Sequence, residues 1–271
     1  MRALRQNADI RPAAVAGAFY AADPDRLGQD VANLLAAVPE SARPSPQAVI
    51  APHAGYIYSG PVAAHAFAAL RDSASEPQRV VVIGPAHYVA VRGIAIPTAS
   101  AFVTPLGRVP VDQEALARLA GLPCVVTADA PHAPEHALEV ELPFLQCVLG
   151  PFTLVPLLVG DATPEEVDAV LERVWDGSVV VVSSDLSHYL DYAAAQRRDA
   201  ATVAAIERRD WAALGPNDAC GFLAIAGLLR QTARRGLSAE RLSLKNSGDT
   251  AGPRDRVVGY GAWAFAAATD S

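Results

Sequence analysis

The sequence lacks the features that mark several common classes of protein. It has three cysteines, Cys124, Cys147 and Cys220, and no C-x-x-C pair, so a closed set of disulfides is not possible. Reduced thiols in a reducing compartment are the direct interpretation, and we expect a cytoplasmic protein. A G-x-S-x-G nucleophile elbow and a glycine-rich phosphate loop are both absent. Neither a serine hydrolase nor a nucleotide-binding protein is therefore indicated.

Long apolar runs and an excess of positive charge are also missing. The longest nearly apolar stretch, residues 147–160, contains Pro151 and Pro156 and falls short of the roughly 20 residues that a membrane-spanning helix needs. The formal net charge is −7, whereas phosphate binding requires a basic surface. Neither a membrane nor a nucleic acid is therefore expected as a partner.

What the sequence contains is a regular alternation of apolar, β-branched runs and amphipathic segments. Predicted strands include 47–52, 79–84 and 178–183, and predicted helices include 61–71 and 137–148. Such alternation is typical of an α/β protein with a largely parallel or mixed central sheet and helices on both faces. Because no linker or repeat interrupts the pattern, we predict a single domain over residues 1–271.

Each of these three strands is followed by a short turn and a histidine. His53 follows the first strand, His87 the second and His188 the third. Because ligands bind beyond the carboxyl ends of parallel strands, we expect these side chains to share one crevice. Imidazole is the commonest metal ligand and the usual acid/base group near neutral pH. A metal or catalytic centre is the leading interpretation, while a loop histidine bonded to the backbone is the alternative for each one taken alone.

Asp185 lies on the same turn as His188. Its carboxylate suits two roles, and the sequence leaves both open. It can accept a ring N–H and so fix the tautomer and orientation of the histidine, or it can cap a helix.

The segment His132-Ala-Pro-Glu-His136 matches the H-x-x-E-H zinc-protease pattern. That chemistry requires both histidines on one helical face, and Pro134 between them prevents a helix from including His132. We therefore disfavour a zinc protease and expect His136, together with Glu139 and Glu141, to line the mouth of the crevice.

Cys220 is the most informative of the three thiols because it lies at the start of a predicted helix over 218–233. Near a helix N-terminus a thiolate is stabilised and becomes a better nucleophile or metal ligand. A small buried hydrophobe is the alternative interpretation. In that case His188 or a crevice carboxylate such as Glu141 would complete a metal site. Cys124 and Cys147 lie in apolar runs and are expected to be structural.

Several motifs together resemble the Memo family, whose prokaryotic members are the B component of the AmmeMemoRadiSam system. They occur in order along nearly the whole chain, at residues 12–20, 51–60, 83–87, 135–144, 183–188, 219–221, 246–249 and 257–260. The resemblance implies the fold of class III extradiol dioxygenases, in which non-haem iron lies at the edge of the sheet. It also implies a radical-SAM enzyme and an AMMECR-type protein as partners.

Residue by residue, the resemblance implies that His53, His87 and Cys220 are metal ligands and that His188 is the nearby acid/base group. The third ligand of the related dioxygenases is a carboxylate. Cys220 in its place departs from the pattern of two histidines and one carboxylate that is associated with O₂-activating iron, so copper and zinc remain open beside Fe(II).

Our first hypothesis is a mononuclear metal oxidoreductase that uses Fe(II), O₂ and a small substrate, with aromatic compounds among the candidates. His188, Asp185 and His136 are the predicted catalytic residues. Two alternatives belong to other classes: a binding module that holds a small ligand or a phosphopeptide without chemistry, and a metal-dependent hydrolase. Consumption of O₂ separates the first hypothesis from both.

Overall fold

The computed structural model describes residues 10–40, 44–71 and 78–267. The strands are β1 (Ile10–Arg11), β2 (Ala48–Ala51), β3 (Gln78–Pro85), β4 (Ile94–Ile96), β5 (Ala101–Thr104), β6 (Gly107–Pro110), β7 (Val125–Thr127), β8 (Phe152–Val159), β9 (Ser178–Ser183), β10 (His188–Leu190), β11 (Leu237–Asn246) and β12 (Val257–Ala267). The α-helices are α1 (Pro24–Ala36), α2 (Tyr56–Ala68), α3 (Gln113–Leu119), α4 (Leu142–Leu149), α5 (Pro164–Val174), α6 (Tyr192–Arg208) and α7 (Phe222–Arg234).

Most strands belong to one nine-stranded mixed sheet. Its centre is the parallel set β2-β9-β3-β8, which reads as near-continuous Val, Ile, Leu and Ala. Strands with both faces covered have this composition because side chains on both sides are buried. On one flank β12 pairs antiparallel with β2, and on the other β4 pairs antiparallel with β8. The fold is therefore mixed α/β, as predicted.

The helices form two groups of mutual contacts. One group contains α1, α2 and α4, and the other contains α3, α5 and α7, while α6 packs on β11 and β12. Two N-terminal caps follow the expected chemistry: Asp112 accepts the Ala115 N–H at the start of α3, and Thr163 forms a capping box with Glu166 at the start of α5. Helices cover both faces of the sheet, and the core lies between them and the strands.

Two predicted helices have different limits in the structure. The helix predicted over 61–71 begins earlier, at Tyr56, so that Pro61 lies inside it, where proline lacks the backbone N–H of a helical hydrogen bond and crowds the preceding turn. The helix predicted over 137–148 is shorter, because a 3₁₀ turn at Glu139–Glu141 comes first and α4 begins at Leu142. A small sheet of β1, β5 and β6, which was not predicted, packs the N-terminal segment against the body.

Among the described residues, no helix combines the length and the apolar character that crossing a bilayer requires.

Candidate metal centre

Three histidines meet at the carboxyl edge of the parallel strands. His53 follows β2, His87 follows β3, and His136 lies in the loop before the 3₁₀ turn. A ligand atom of each ring lies within 4.8 Å of the others, and the ring centroids are 4.7–5.3 Å apart. Since β2 and β3 flank β9 in parallel, their ends necessarily open on the same crevice. This cluster can hold a metal ion.

His53 is held in one tautomer by a serine at the end of β9. The Ser183 hydroxyl donates its single hydrogen to the Ala137 carbonyl at 2.6 Å, so its oxygen must accept the hydrogen bond of 2.7 Å from His53 Nδ1. Nε2 is therefore left with a free lone pair facing the crevice. Burial lowers the pKa of His53 well below its usual value, and the neighbouring imidazoles lower it further. The ring is a neutral donor, as a metal ligand must be.

A carboxylate orients His87 in the same way. Glu135 Oε1 lies 2.9 Å from His87 Nδ1, and Glu135 Oε2 accepts the His87 backbone N–H at 2.6 Å. Burial alone would raise the pKa of Glu135, but these bonds hold it below its usual value, so the carboxylate is ionised. An ionised acceptor on Nδ1 leaves Nε2 free, which is the usual support for a metal-binding histidine.

His136 is the third imidazole of the cluster. Its ring packs on Phe19 at 4.7 Å between centroids and on Tyr88 at 5.6 Å. Burial lowers the pKa of His136 to about 4, and its buried Nδ1 has no hydrogen-bond partner among the described residues. The ring is therefore neutral at pH 7, and the carboxylate oxygen Glu135 Oε1 lies 3.3 Å from its Nδ1.

The Cys220 thiol lies beside this cluster. Its Sγ is 3.3 Å from His53 Nε2 and accepts the Asp185 backbone N–H, also at 3.3 Å. The next residue is Gly221, whose N–H donates to the Ser184 hydroxyl oxygen and so fixes the start of α7. A side chain at this position would not fit, because its Cβ would lie 2.9 Å from the same oxygen. Burial raises the pKa of Cys220 to about 12, so the thiol is protonated until an ion binds it.

Asp185 has a role that differs from both of those left open by the sequence. Its carboxylate accepts the His53 backbone N–H at 2.9 Å instead of a ring N–H of His188, and no helix begins at this turn. Burial raises the pKa of Asp185 to about 7 despite this bond. Asp185 therefore positions the backbone of His53 and, through its own N–H, the sulfur of Cys220.

His188 stands at the start of β10, exposed at the edge of the crevice. The surrounding protein limits its hydration and lowers its pKa, an effect that a hydrogen bond with the Leu186 backbone opposes. The Asp199 carboxylate of α6 accepts the Ser187 N–H at 3.1 Å and fixes the turn before this histidine. His188 is therefore near the cluster but separate from the three clustered rings.

Comparison with known proteins shows to which family the chain belongs. The family described as "Memo-like protein" matches residues 11–264. Similar relatives include MEMO1 family proteins of Sulfolobus acidocaldarius (34% identity over 93% of this chain and 97% of the relative) and Thermotoga neapolitana (35% over 93% and 98%). A third, from Methanopyrus kandleri, is 36% identical over 94% of this chain and 98% of its own length. The chain belongs to the Memo family.

The donors of this Memo family protein fit a metal ion on the evidence of their own contacts. In a tetrahedral zinc site, Zn–N bonds of about 2.0 Å and Zn–S bonds of about 2.3 Å place a nitrogen and a sulfur roughly 3.5 Å apart. The Cys220–His53 separation of 3.3 Å is close to this value. Nδ1 of both His53 and His87 is already occupied, so the free Nε2 atoms are the atoms left for an ion.

The remaining candidate residues of the sequence analysis lie away from the three clustered imidazoles. His132 is buried outside any helix, with Nε2 3.2 Å from the Ala95 carbonyl, which confirms that H-x-x-E-H is not a zinc-protease helix here. The expectation that Glu139 and Glu141 line the crevice mouth is wrong, because both are fully buried. The sequence also missed Ser183 and Glu135, although a serine at a strand end and a glutamate beside His136 were visible signals.

Proposed function

We propose that this Memo family protein is a mononuclear metal-dependent oxidoreductase that acts on a small substrate with O₂, in the manner of a dioxygenase. The observation that carries the proposal is the convergence of three imidazoles and one thiol at the edge of the sheet, with the exposed His188 beside them. Fe(II) is the ion that suits the reaction, since it supplies the one-electron chemistry that O₂ requires.

We assign His53, His87 and Cys220 as the ligands of the ion. Both imidazoles have Nδ1 engaged and Nε2 free, and the sulfur already accepts a backbone N–H, which favours its thiolate form. Three protein ligands are what catalytic metal sites commonly provide, because further positions must stay open. His136 as the third ligand in place of Cys220 is the competing set, and the two sets differ in whether sulfur binds the metal.

Two imidazoles then remain to act on the substrate. His188 has a lowered pKa, so at pH 7 its neutral ring can accept a proton from a substrate hydroxyl at the edge of the crevice. His136 contacts Tyr88, whose side chain is 55% exposed, and so lies towards the open side of the cluster. With a pKa of about 4, His136 serves as a neutral hydrogen-bonding group. Asp185 acts indirectly, by positioning His53.

The test is metal analysis of protein purified without oxygen, followed by O₂ consumption in the presence of phenols and other small aromatic compounds. We expect about one ion per chain and O₂ uptake equal to product formed, because a dioxygenase transfers both oxygen atoms to its substrate. His188→Ala should keep most of the metal and lose about 10²–10⁴ in turnover. Ligand binding with no uptake would identify a binding module, and turnover without O₂ a hydrolase. Either result overturns the oxidoreductase.

A further inference from the structure

A second concave site lies away from the histidines, between α1, α2 and β11. It encloses about 500 Å³, within the range of small-molecule sites in proteins. None of the histidines of the metal centre lines it. Tyr56 forms part of its wall, and the Tyr56 hydroxyl donates a hydrogen bond to the Val140 carbonyl in the 3₁₀ turn.

The walls of this cavity are mainly apolar. Leu34 of α1 and Val38, just beyond its end, line the cavity together with Ile57 and Pro61 of α2. Ile57 is 68% exposed, the largest exposed fraction among the large hydrophobic residues of the described chain. Covering it with an apolar ligand is favourable by roughly 25 cal/mol for each Å² removed from water.

The charged groups around the cavity favour an anion. Arg26 and Lys245 line it, against one carboxylate, Asp30, which pairs with Arg26 at 3.3 Å. Lys245 is the only lysine of the chain, and within the described residues it has no acidic partner. A cationic lining is notable in a chain with a net charge of −7, because the rest of the charge is predominantly acidic.

We propose that this cavity binds a small amphiphilic anion, with its apolar body against Leu34, Val38, Ile57 and Pro61 and its acidic group at Lys245. Neither the metal nor the oxidoreductase activity is needed for this binding, so the two proposals stand or fall separately.

The experiment uses the full chain and 1-anilinonaphthalene-8-sulfonate, an aromatic anion whose fluorescence reports burial, displaced by decanoate or by decyltrimethylammonium of matched chain length. We expect one saturable site and decanoate to displace the dye at least about tenfold better than the cation. Equal displacement by the two, or binding that does not saturate, would overturn the proposal.

Variants locate the site. Ala37→Trp fills the cavity from an exposed position on its rim and should abolish saturable binding. Lys245→Glu should lower the affinity for decanoate about fivefold. An effect of this size is expected when an exposed ion pair is lost and replaced by repulsion. Arg241→Glu makes the same charge change on the same strand outside the cavity and should have no effect. If the Ala37→Trp variant binds decanoate as tightly as the wild type, the cavity is not the binding site. The same conclusion follows if Arg241→Glu lowers the affinity for decanoate as much as Lys245→Glu does.

Discussion

Two buried glutamates, Glu139 and Glu141, lie two residues apart on the same 3₁₀ turn and have opposite surroundings. Glu139 accepts hydrogen bonds from Arg11, from Tyr20 and from the backbone N–H groups of Ala14 and Val15. Both oxygens of Glu141 lack a hydrogen-bond partner among the described residues. Burial raises the pKa of Glu141 well above its usual value, although the neighbouring Ser183 hydroxyl opposes the shift, and the nearby Asp185 adds to it. Glu139 is therefore held by an ion pair and several donors, whereas the surroundings of Glu141 favour its protonated form.

The difference shows how the turn serves the metal centre. Glu139, through its ion pair with Arg11, connects the N-terminal segment to the 3₁₀ turn after His136, and the Phe19 ring of that segment packs on the His136 imidazole. Glu141 lies on the side of Ser183 and Asp185, next to the donors. Burial favours the neutral forms of His53, His136 and Cys220, whereas the Glu135 carboxylate behind His87 is ionised.

The largest effect should come from Glu139→Gln. Arg11 is almost fully buried and would keep its charge while losing its only ionised partner in the described structure. Breaking a buried pair by removing one member typically costs about 3–5 kcal/mol. Urea unfolding should show a loss of this size, and a loss below about 1 kcal/mol would mean that water or another group compensates for the pair.

Glu135→Gln should act on metal affinity more than on folding. Outer carboxylates of metal-binding histidines are worth about 10–100-fold in affinity, because they fix the ring and raise its basicity. Competition with a chelator measures this loss. Glu141→Gln is the control for the substitution itself, since it makes the same replacement nearby in sequence without removing an ionised partner of His87. An equal loss of metal affinity in both variants would show that Glu135 does not support His87 specifically.

Glu141→Gln should have the smallest destabilising effect, within about 1 kcal/mol at a pH below the ordinary pKa of 4.5, because there it replaces a neutral acid by a neutral amide in both the folded and the unfolded state. Its pH dependence is more informative. Since the folded pKa is raised, the proton on Glu141 favours folding below its ordinary pKa of 4.5, and this contribution is lost as the pH rises towards the folded value.

The unfolding free energy of Glu141→Gln relative to wild type should therefore increase from pH 5 to pH 8, by at most about 1.4 kcal/mol for each pH unit. Denaturant midpoints at several pH values measure this. A relative stability that falls over the same range would show that Glu141 is ionised in the folded state.

The contrast between the two glutamates also marks the limit of sequence reasoning. The post-strand positions of His53 and His87 were predictable, because β-branched runs reveal parallel strands and their ends share one edge. The environments of Glu139 and Glu141 were not, since both belong to one short segment of similar residues. What separates them is Arg11, 128 residues away in sequence, and long-range contacts of this kind leave no local pattern.

The same limit applies to the ligands. The role of Ser183 depends on the meeting of β9 with the loops of Ala137 and His53, which only the folded chain shows. Asp185 was noticed for its closeness in sequence to His188 but instead bonds His53, across 132 residues. Closeness in sequence therefore pointed to Asp185 correctly but assigned it to His188 instead of His53.

The central claim is that Cys220 binds the metal together with His53 and His87, and Co(II) absorption tests it most directly. The Co(II)-loaded wild type should show a sulfur-to-metal charge-transfer band, which Cys220→Ser should lose while Cys147→Ser and His136→Ala retain it, because only Cys220 lies beside the His53 nitrogen. A band that survives in Cys220→Ser, or a wild type that binds Co(II) without the band, would contradict the account and make His136 the third ligand.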